Sequence, residues 1–185
     1  IFVPKYDISD FPRRPHIDIA HEAAITAYGR AGTWLDSRTR VKILEEVRSA
    51  KDCPLCLEQR RSLSPYAKEG EHVSQTGLDP ITVEIVHRLC NNADRLTYRW
   101  FESILAQGVS TEQYVEIVGL VATAIIIDGF SGALGYQTIP APRAQGGVPT
   151  RKANDKVVEA GAWIPIMDVE NEEAETGLPK IPNIF

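Results

Sequence analysis

The feature that most constrains the fold is the long apolar stretch "YVEIVGLVATAIIIDGF" at residues 114–130. It is apolar nearly all round, and a helix of this kind is either buried in a protein core or spans a membrane. Glu116 and Asp128 bracket eleven residues, whereas a span needs about 20. We therefore predict a buried central helix, preceded by Ser110 and Gln113 at capping-box spacing.

Shorter helices are predicted around this one, and neither strand alternation nor an internal repeat stands out. Asp36 and Asp79 are the expected N-caps of two of them, and Pro80 suits a first helical position. Apolar spacing, caps and stop signals place the helices at residues 17–31, 37–51, 54–63, 81–92 and 96–106. The predicted fold class is all-α.

The chain divides by composition into a helical body and two arms. Residues 1–15 hold three prolines and predict an irregular N-terminal arm, and residues 16–135 form the helical domain. Residues 136–185 hold six of the twelve prolines and predict an extended C-terminal arm rich in Pro and Gly, with one short helix near residues 152–160. An arm of this composition buries little surface by itself, so we expect it to lie across its own domain or a neighbouring subunit.

Bulk composition is that of an ordinary soluble globular protein, with 43% apolar and 24% charged residues among 185. The net charge of −5 argues against a nucleic-acid partner. No secretory signal is recognised at the start, and three cysteines make a poor disulfide framework. We therefore expect a reducing, cytoplasmic location and no membrane partner.

The stretch "DCPLC" places two cysteines three residues apart at a predicted helix start. With Cys53 as N-cap and Pro54 next, the unpaired N–H groups and the helix dipole favour a thiolate at Cys53 or Cys56. A redox pair, a metal site and a structural pair all remain open. A zinc site would need further ligands such as His87 and Cys90, which point to different sides of their helix.

Several other titratable residues have an ordinary structural explanation beside a functional one. His87 follows Glu84 by one turn, which suits either an oriented imidazole or a surface ion pair. His72 lies in a loop, where a solvated side chain is the usual outcome. Glu116 lies in an apolar helix, and Glu46 lies in the helix that precedes the cysteine helix, so either carboxylate is a candidate for the site.

The order of elements resembles the alkylhydroperoxidase D-like and carboxymuconolactone decarboxylase-like superfamily, in its peroxidase-related branch. The elements are a helix ending in "EEVRSAKDCPLC", two further helices and then "YVEIVGLVATAIIIDGFSGALG". The likeness covers about residues 33–135. It implies a compact multi-helix bundle that forms homo-oligomers and reduces hydroperoxides with thiols. It also implies that Cys56 attacks the peroxide and that Cys53 resolves the sulfenic acid as a disulfide.

This sequence departs from the family pattern at two positions of the proton relay. Arg60 stands where the family has a histidine, and Val41 where it has a glutamate. Arginine cannot act as a base at neutral pH. The substitute bases that we consider are Glu46, His87 and Glu116.

The leading hypothesis is therefore an antioxidant-type, thiol-dependent peroxidase or thiol-disulfide oxidoreductase with catalytic Cys53 and Cys56, without a cofactor or bound metal. Its expected partners are a hydroperoxide or other small substrate, a dithiol or protein reductant, and further copies of the chain. One alternative is a degenerate, non-catalytic ligand-binding or assembly module. A third is a cofactor-free decarboxylase-like enzyme acting on a lactone or acid.

Overall fold

The computed structural model describes residues 14–153, 155, 157–159 and 161–167. This part of the chain is mostly helical, which confirms the all-α prediction at the level of fold class. The helices are α1 (Pro15–Tyr28), α2 (Ser37–Ala50), α3 (Pro54–Arg61), α4 (Pro80–Asn92), α5 (Tyr98–Ala106) and α6 (Thr111–Ala133). Two 3₁₀ turns lie at Pro65–Ala67 and Ala93–Arg95, and two short strands are β1 (Val157–Val158) and β2 (Ile166–Met167).

Three helices, α2, α4 and α6, pack against one another and form the centre of the molecule. Each contributes aliphatic side chains to one continuous core. Fully buried examples are Ile43 and Leu44 of α2, Ile85 and Val86 of α4, and Ile117 and Val121 of α6. Burial of one such side chain contributes about 1.5–3 kcal/mol relative to exposure, so this packing fixes α2 and α4, which both carry site residues.

Helix α6 is the long apolar helix that the sequence predicts. Its capping box forms, with Ser110 Oγ accepting from Gln113 N–H and the Gln113 side chain accepting from Ser110 N–H. By length and composition alone it could cross a membrane, a test that a core helix also passes. It packs against α1, α2 and α4, while Ile125 and Ile126 remain exposed.

Helix starts follow the capping residues closely. Asp36 and Asp79 accept hydrogen bonds from the third residue after them, which confirms both predicted N-caps. Thr97 caps α5 in the same way, so this helix begins later than residue 96. Helix α1 ends at Tyr28, before the predicted stop, because the chain turns at Gly29.

The C-terminal segment runs extended over the loop between α1 and α2. Gln145 N–H donates to Gly29 O at 2.7 Å, and Arg151 N–H donates to Thr33 O at 2.8 Å. Further on, Val157 and Val158 pair with Met167 and Ile166 as an antiparallel ladder. The short helix predicted near residues 152–160 is therefore wrong, because the described residues there are not helical and Val157 and Val158 pair with β2 instead.

The segments beyond the described residues include much of both predicted arms. Residues 1–13 and 168–185 lie outside the described residues. The predicted N-terminal arm, residues 1–15, thus falls almost wholly outside them, and Pro15 already begins α1.

Candidate functional site

The two neighbouring cysteines lie at the start of α3, as the sequence predicts. Cys53 is the N-cap, with φ −68° and ψ 123°, and Pro54 occupies the first turn. The exposed fraction is 2% for Cys53 and 0% for Cys56. Both are free thiols, and both lie near the unpaired N–H groups of the helix start.

Two histidine rings face these sulfurs through their Nδ1 atoms. His72, in the loop between α3 and α4, has Nδ1 at 3.6 Å from Cys53 Sγ and 3.4 Å from Cys56 Sγ. His87, on α4, has Nδ1 at 3.2 Å from Cys56 Sγ. The four side chains therefore form one cluster, which we call the Cys–His cluster: Cys53, Cys56, His72 and His87.

A carboxylate orients each histidine from the opposite side of its ring. His72 Nε2 lies 2.7 Å from Glu84 Oε2. His87 Nε2 lies 2.8 Å from Glu46 Oε1. Because an ionised carboxylate can only accept, each Nε2 carries the proton, and in the neutral ring the Nδ1 lone pair faces sulfur.

Each carboxylate is in turn held by donors of its own. The hydroxyl of Ser74 donates to Glu46 Oε2 at 2.6 Å, and the Thr76 hydroxyl donates to the same oxygen. Glu84 Oε1 accepts from Arg88 Nε at 2.7 Å and from Trp100 Nε1 at 3.1 Å. These donors keep both carboxylates ionised, although Glu46 is fully buried and Glu84 is partly buried, at positions where an unpaired charge would be costly.

The environment separates the pKa values of the three thiols. Burial acts to raise the pKa of Cys53, but hydrogen bonds from the backbone of Cys56 and from His72 outweigh it, so this pKa is lowered. Burial and the neighbouring Cys53 raise the pKa of Cys56. Burial raises the pKa of Cys90 to about 12.

The histidine and carboxylate pKa values follow from the same contacts. Burial opposes a charged His72, but the hydrogen bond to Glu84 raises its pKa. Burial lowers the pKa of His87 despite its bond to Glu46. Against burial, His72 and Arg88 lower the pKa of Glu84 to about 2, and the hydroxyl donors with His87 lower that of Glu46.

A cavity of about 450 Å³ opens beside the first cysteine. Its lining residues come from α2, the start of α3 and the loop before α4: Glu45, Ser49, Asp52, Cys53, Val73, Gln75 and Thr76. Cys53 lines this cavity and Cys56 does not. A small molecule in the cavity would therefore lie beside Cys53 and not beside Cys56.

The structure brings together four of the five predicted site residues: Cys53, Cys56, Glu46 and His87. It places Glu116 elsewhere, where the carboxylate pairs with Arg40 and accepts from the N–H of Trp34 at 2.7 Å. Glu116 therefore anchors α6 to α2, and it is not a substitute base for the cysteines.

Two local expectations from the sequence were wrong. His72 is not solvated, because its side chain is only 5% exposed. His87 does not pair with Glu84 at the surface; it is fully buried and pairs with Glu46. Cys90 lies outside the Cys–His cluster, in agreement with the expectation that it and His87 point to different sides of their helix.

Two residues of the site were not predicted from the sequence: His72, and Glu84 in its role as the partner of His72. One signal was present: the pattern C-x2-C-x15-H-x14-H runs from Cys53 to His87 and has the residue types of a Cys2His2 ligand set. The loop between α3 and α4 hides this signal, since nothing local shows that the loop folds back onto the cysteines.

A scan against protein-family models finds no match, and searches of curated proteins and of solved structures also find none. The site offers two sulfurs and two oriented imidazoles beside a cavity. This donor set is suited either to thiol redox chemistry or to binding a soft metal ion.

Proposed function

We propose that the chain is a thiol-dependent oxidoreductase that reduces hydroperoxides, with Cys53 as the attacking sulfur and Cys56 as the resolving sulfur. One observation carries this proposal: Cys53 lines the cavity and Cys56 does not, while the two sulfurs lie within 4.8 Å of each other. The order is the reverse of the one that the family resemblance implies. Access decides it, because a peroxide must reach the sulfur that it oxidises.

The steps balance with the groups present and an external reductant. The Cys53 thiolate attacks the outer peroxide oxygen, the O–O bond breaks, and the products are an alcohol and a Cys53 sulfenic acid. The Cys56 sulfur then displaces water from that sulfenic acid and forms a disulfide. A dithiol reduces the disulfide by exchange and is itself oxidised.

His72 is suited to proton transfer at the first step. Its Nδ1 lies within reach of both sulfurs, and Glu84 fixes its ring. It can take the Cys53 thiol proton and return it to the leaving alkoxide. His87 can serve Cys56 in the same way at the second step, since its Nδ1 contacts that sulfur. The two rings thus take the place of the relay that Arg60 and Val41 cannot provide.

The proposed partners follow from this chemistry. They are a hydroperoxide small enough for the cavity and a dithiol or protein reductant that reaches the disulfide. The homo-oligomer stays a prediction.

The test is a titration of the reduced, metal-free protein with hydroperoxide, with and without dihydrolipoamide, and mass mapping of the oxidised cysteines. We expect a Cys53–Cys56 disulfide, and turnover when the dithiol is present. C56S should accumulate a sulfenic acid at Cys53 that a dimedone probe captures. C53S should lose turnover, and C90S is the matched control that keeps it.

Two results would contradict the proposal in different ways. Absence of any peroxide-dependent disulfide would overturn the redox function and favour the non-catalytic module. Rapid sulfenic acid formation at Cys56 in C53S would overturn the order of attack and restore the roles implied by the resemblance.

A further inference from the structure

The Cys–His cluster has the donor types and the spacing of a closed metal site. Its four potential ligand atoms, two Sγ and two Nδ1, all lie within 4.8 Å of one another. The residues that carry them belong to the start of α3, the following loop and α4. Hydrogen bonds between individual thiols and imidazoles would not require all four ligand atoms to lie this close together.

Three contacts in the cluster are close to the sulfur–nitrogen edge of a zinc tetrahedron. Bonds of about 2.3 Å to sulfur and about 2.0–2.1 Å to nitrogen place S and N about 3.6 Å apart. Three of the four sulfur–nitrogen distances are 3.2, 3.4 and 3.6 Å, and the fourth, between Cys53 and His87, is within 4.8 Å. A tetrahedral S2N2 set favours zinc among the common metal ions.

Both histidines also have the outer partners of metal ligands. Each binds a carboxylate through the nitrogen that faces away from the cluster, Glu84 for His72 and Glu46 for His87. Such a partner fixes the tautomer and leaves the inner lone pair free for the metal. The carboxylates lie behind the rings, where they orient the ligands.

Charge balance favours the exchange of protons for a metal ion in this buried place. All four ligand residues are nearly or fully buried. One Zn²⁺ that displaces the two thiol protons releases 2 H⁺ and leaves the net charge of the cluster unchanged. A buried cluster tolerates such a neutral exchange, whereas a single added charge would be costly.

We propose that Cys53, Cys56, His72 and His87 bind one Zn²⁺ in the reduced protein. The proposal stands independently of the redox function, but it concerns the same sulfurs. A Cys53–Cys56 disulfide removes both thiolate ligands, so oxidation releases the ion. Bound zinc in turn shields both sulfurs from oxidants.

The test measures zinc directly in the reduced full chain. After dialysis against Zn²⁺ and removal of free ion, elemental analysis and native mass spectrometry should find one zinc per chain. Added Co²⁺ should give the visible bands of tetrahedral thiolate coordination. Protein with the Cys53–Cys56 disulfide should bind neither ion.

Variants assign the ligands. C53S, C56S, H72Q and H87Q should each lose the stoichiometric zinc, while C90S, the matched control, retains it. E84Q keeps all four ligands and should weaken zinc binding by about 10–100-fold, the usual effect of an outer partner. Circular dichroism checks that each variant is folded, but the wild-type result decides the proposal even if a variant does not fold.

The outcomes separate this proposal from the redox function. No zinc retained by reduced wild-type protein, or equal loss in C90S, overturns the metal site and leaves peroxide turnover to be judged by itself. One zinc without peroxide turnover after its removal supports the metal site and overturns the redox function. Zinc together with turnover that rises on chelation supports both.

Discussion

At the scale of single residues, the site is two imidazoles held between sulfur and carboxylate. Glu46 and His87 are both fully buried, and a buried charge is stable only when its hydrogen bonds are complete. The hydroxyls of Ser74 and Thr76 complete those of Glu46. Burial of these polar groups costs free energy, and their hydrogen bonds direct the Nδ1 lone pair of His87 toward Cys56.

We predict that E46Q lowers the free energy of unfolding by about 1–3 kcal/mol, because one buried charged hydrogen-bond partner is lost. Urea unfolding of the reduced, metal-free protein measures it. The matched control is E45Q at the adjacent, exposed position, with a change within about 0.5 kcal/mol. Equal effects at both positions would show that the buried contact to His87 does not stabilise the fold.

We predict that Cys53 reacts with iodoacetamide well before Cys90 in the reduced, metal-free protein at pH 8. The pKa of Cys53 is lowered by its hydrogen bonds, whereas burial raises that of Cys90 to about 12. Below its pKa a thiol is mostly protonated and unreactive. Raising the pH should therefore speed the reaction of Cys90 far more than that of Cys53.

Peptide mass mapping over time follows each cysteine separately. In urea the three cysteines should react at similar rates, since the folded environment is gone. A native Cys90 that reacts as fast as Cys53 would contradict the environments described for the two thiols.

At the scale of elements, two ion pairs connect α2 to α6, in addition to the apolar packing between these two helices. Arg40 pairs with Glu116, and Arg48 pairs with Asp128 through two hydrogen bonds of 2.8 and 2.9 Å. Arg48 also donates to Ile139 O at 2.8 Å. These contacts explain why an apolar helix carries carboxylates, and they hold the helix that positions Glu46.

We predict that D128N lowers the free energy of unfolding by about 1.5–3 kcal/mol, because a two-bond contact to a charged partner is weakened. R48M should have a similar effect. The double variant should lose less than the sum of the two single changes, since each removes the same contact. Additive losses in urea unfolding would show that Arg48 and Asp128 contribute independently.

At the scale of the whole molecule, the C-terminal segment closes over the helical body. Ile139 enters the core with 5% of its surface exposed. Backbone hydrogen bonds then hold the segment against the loop after α1. In one of them, Gln145 N–H donates to Gly29 O. Trp163 lies against Phe101 of α5, with ring centroids 6.0 Å apart. The segment is therefore part of the folded unit.

We predict that I139A lowers the free energy of unfolding by about 2–5 kcal/mol, the usual cost of removing a buried aliphatic side chain. V148A, in the same segment, is the control, since Val148 is 86% exposed. Thermal unfolding followed by circular dichroism measures both. A small effect of I139A would mean that the segment leaves the body before the helices unfold.

Helix positions could be predicted from the sequence because their signals are local. Asp36, Asp79 and the Ser110–Gln113 pair each satisfy N–H groups within one turn, whatever the rest of the chain does. The strand pairing of residues 157–158 was missed because it depends on a partner about nine residues away. Two-residue strands carry too short a pattern to show alternation.

The sequence by itself determined a mostly helical chain, a thiol pair at a helix start and an apolar central helix, since caps, periodicity and proline act over a few residues. Only the tertiary structure decided which side chains meet those thiols. Burial of α2 against α4 brings Glu46 to His87, and the loop between α3 and α4 carries His72 onto both sulfurs. Such contacts join residues 16 to 41 positions apart, and core packing over that separation leaves no trace in local spacing.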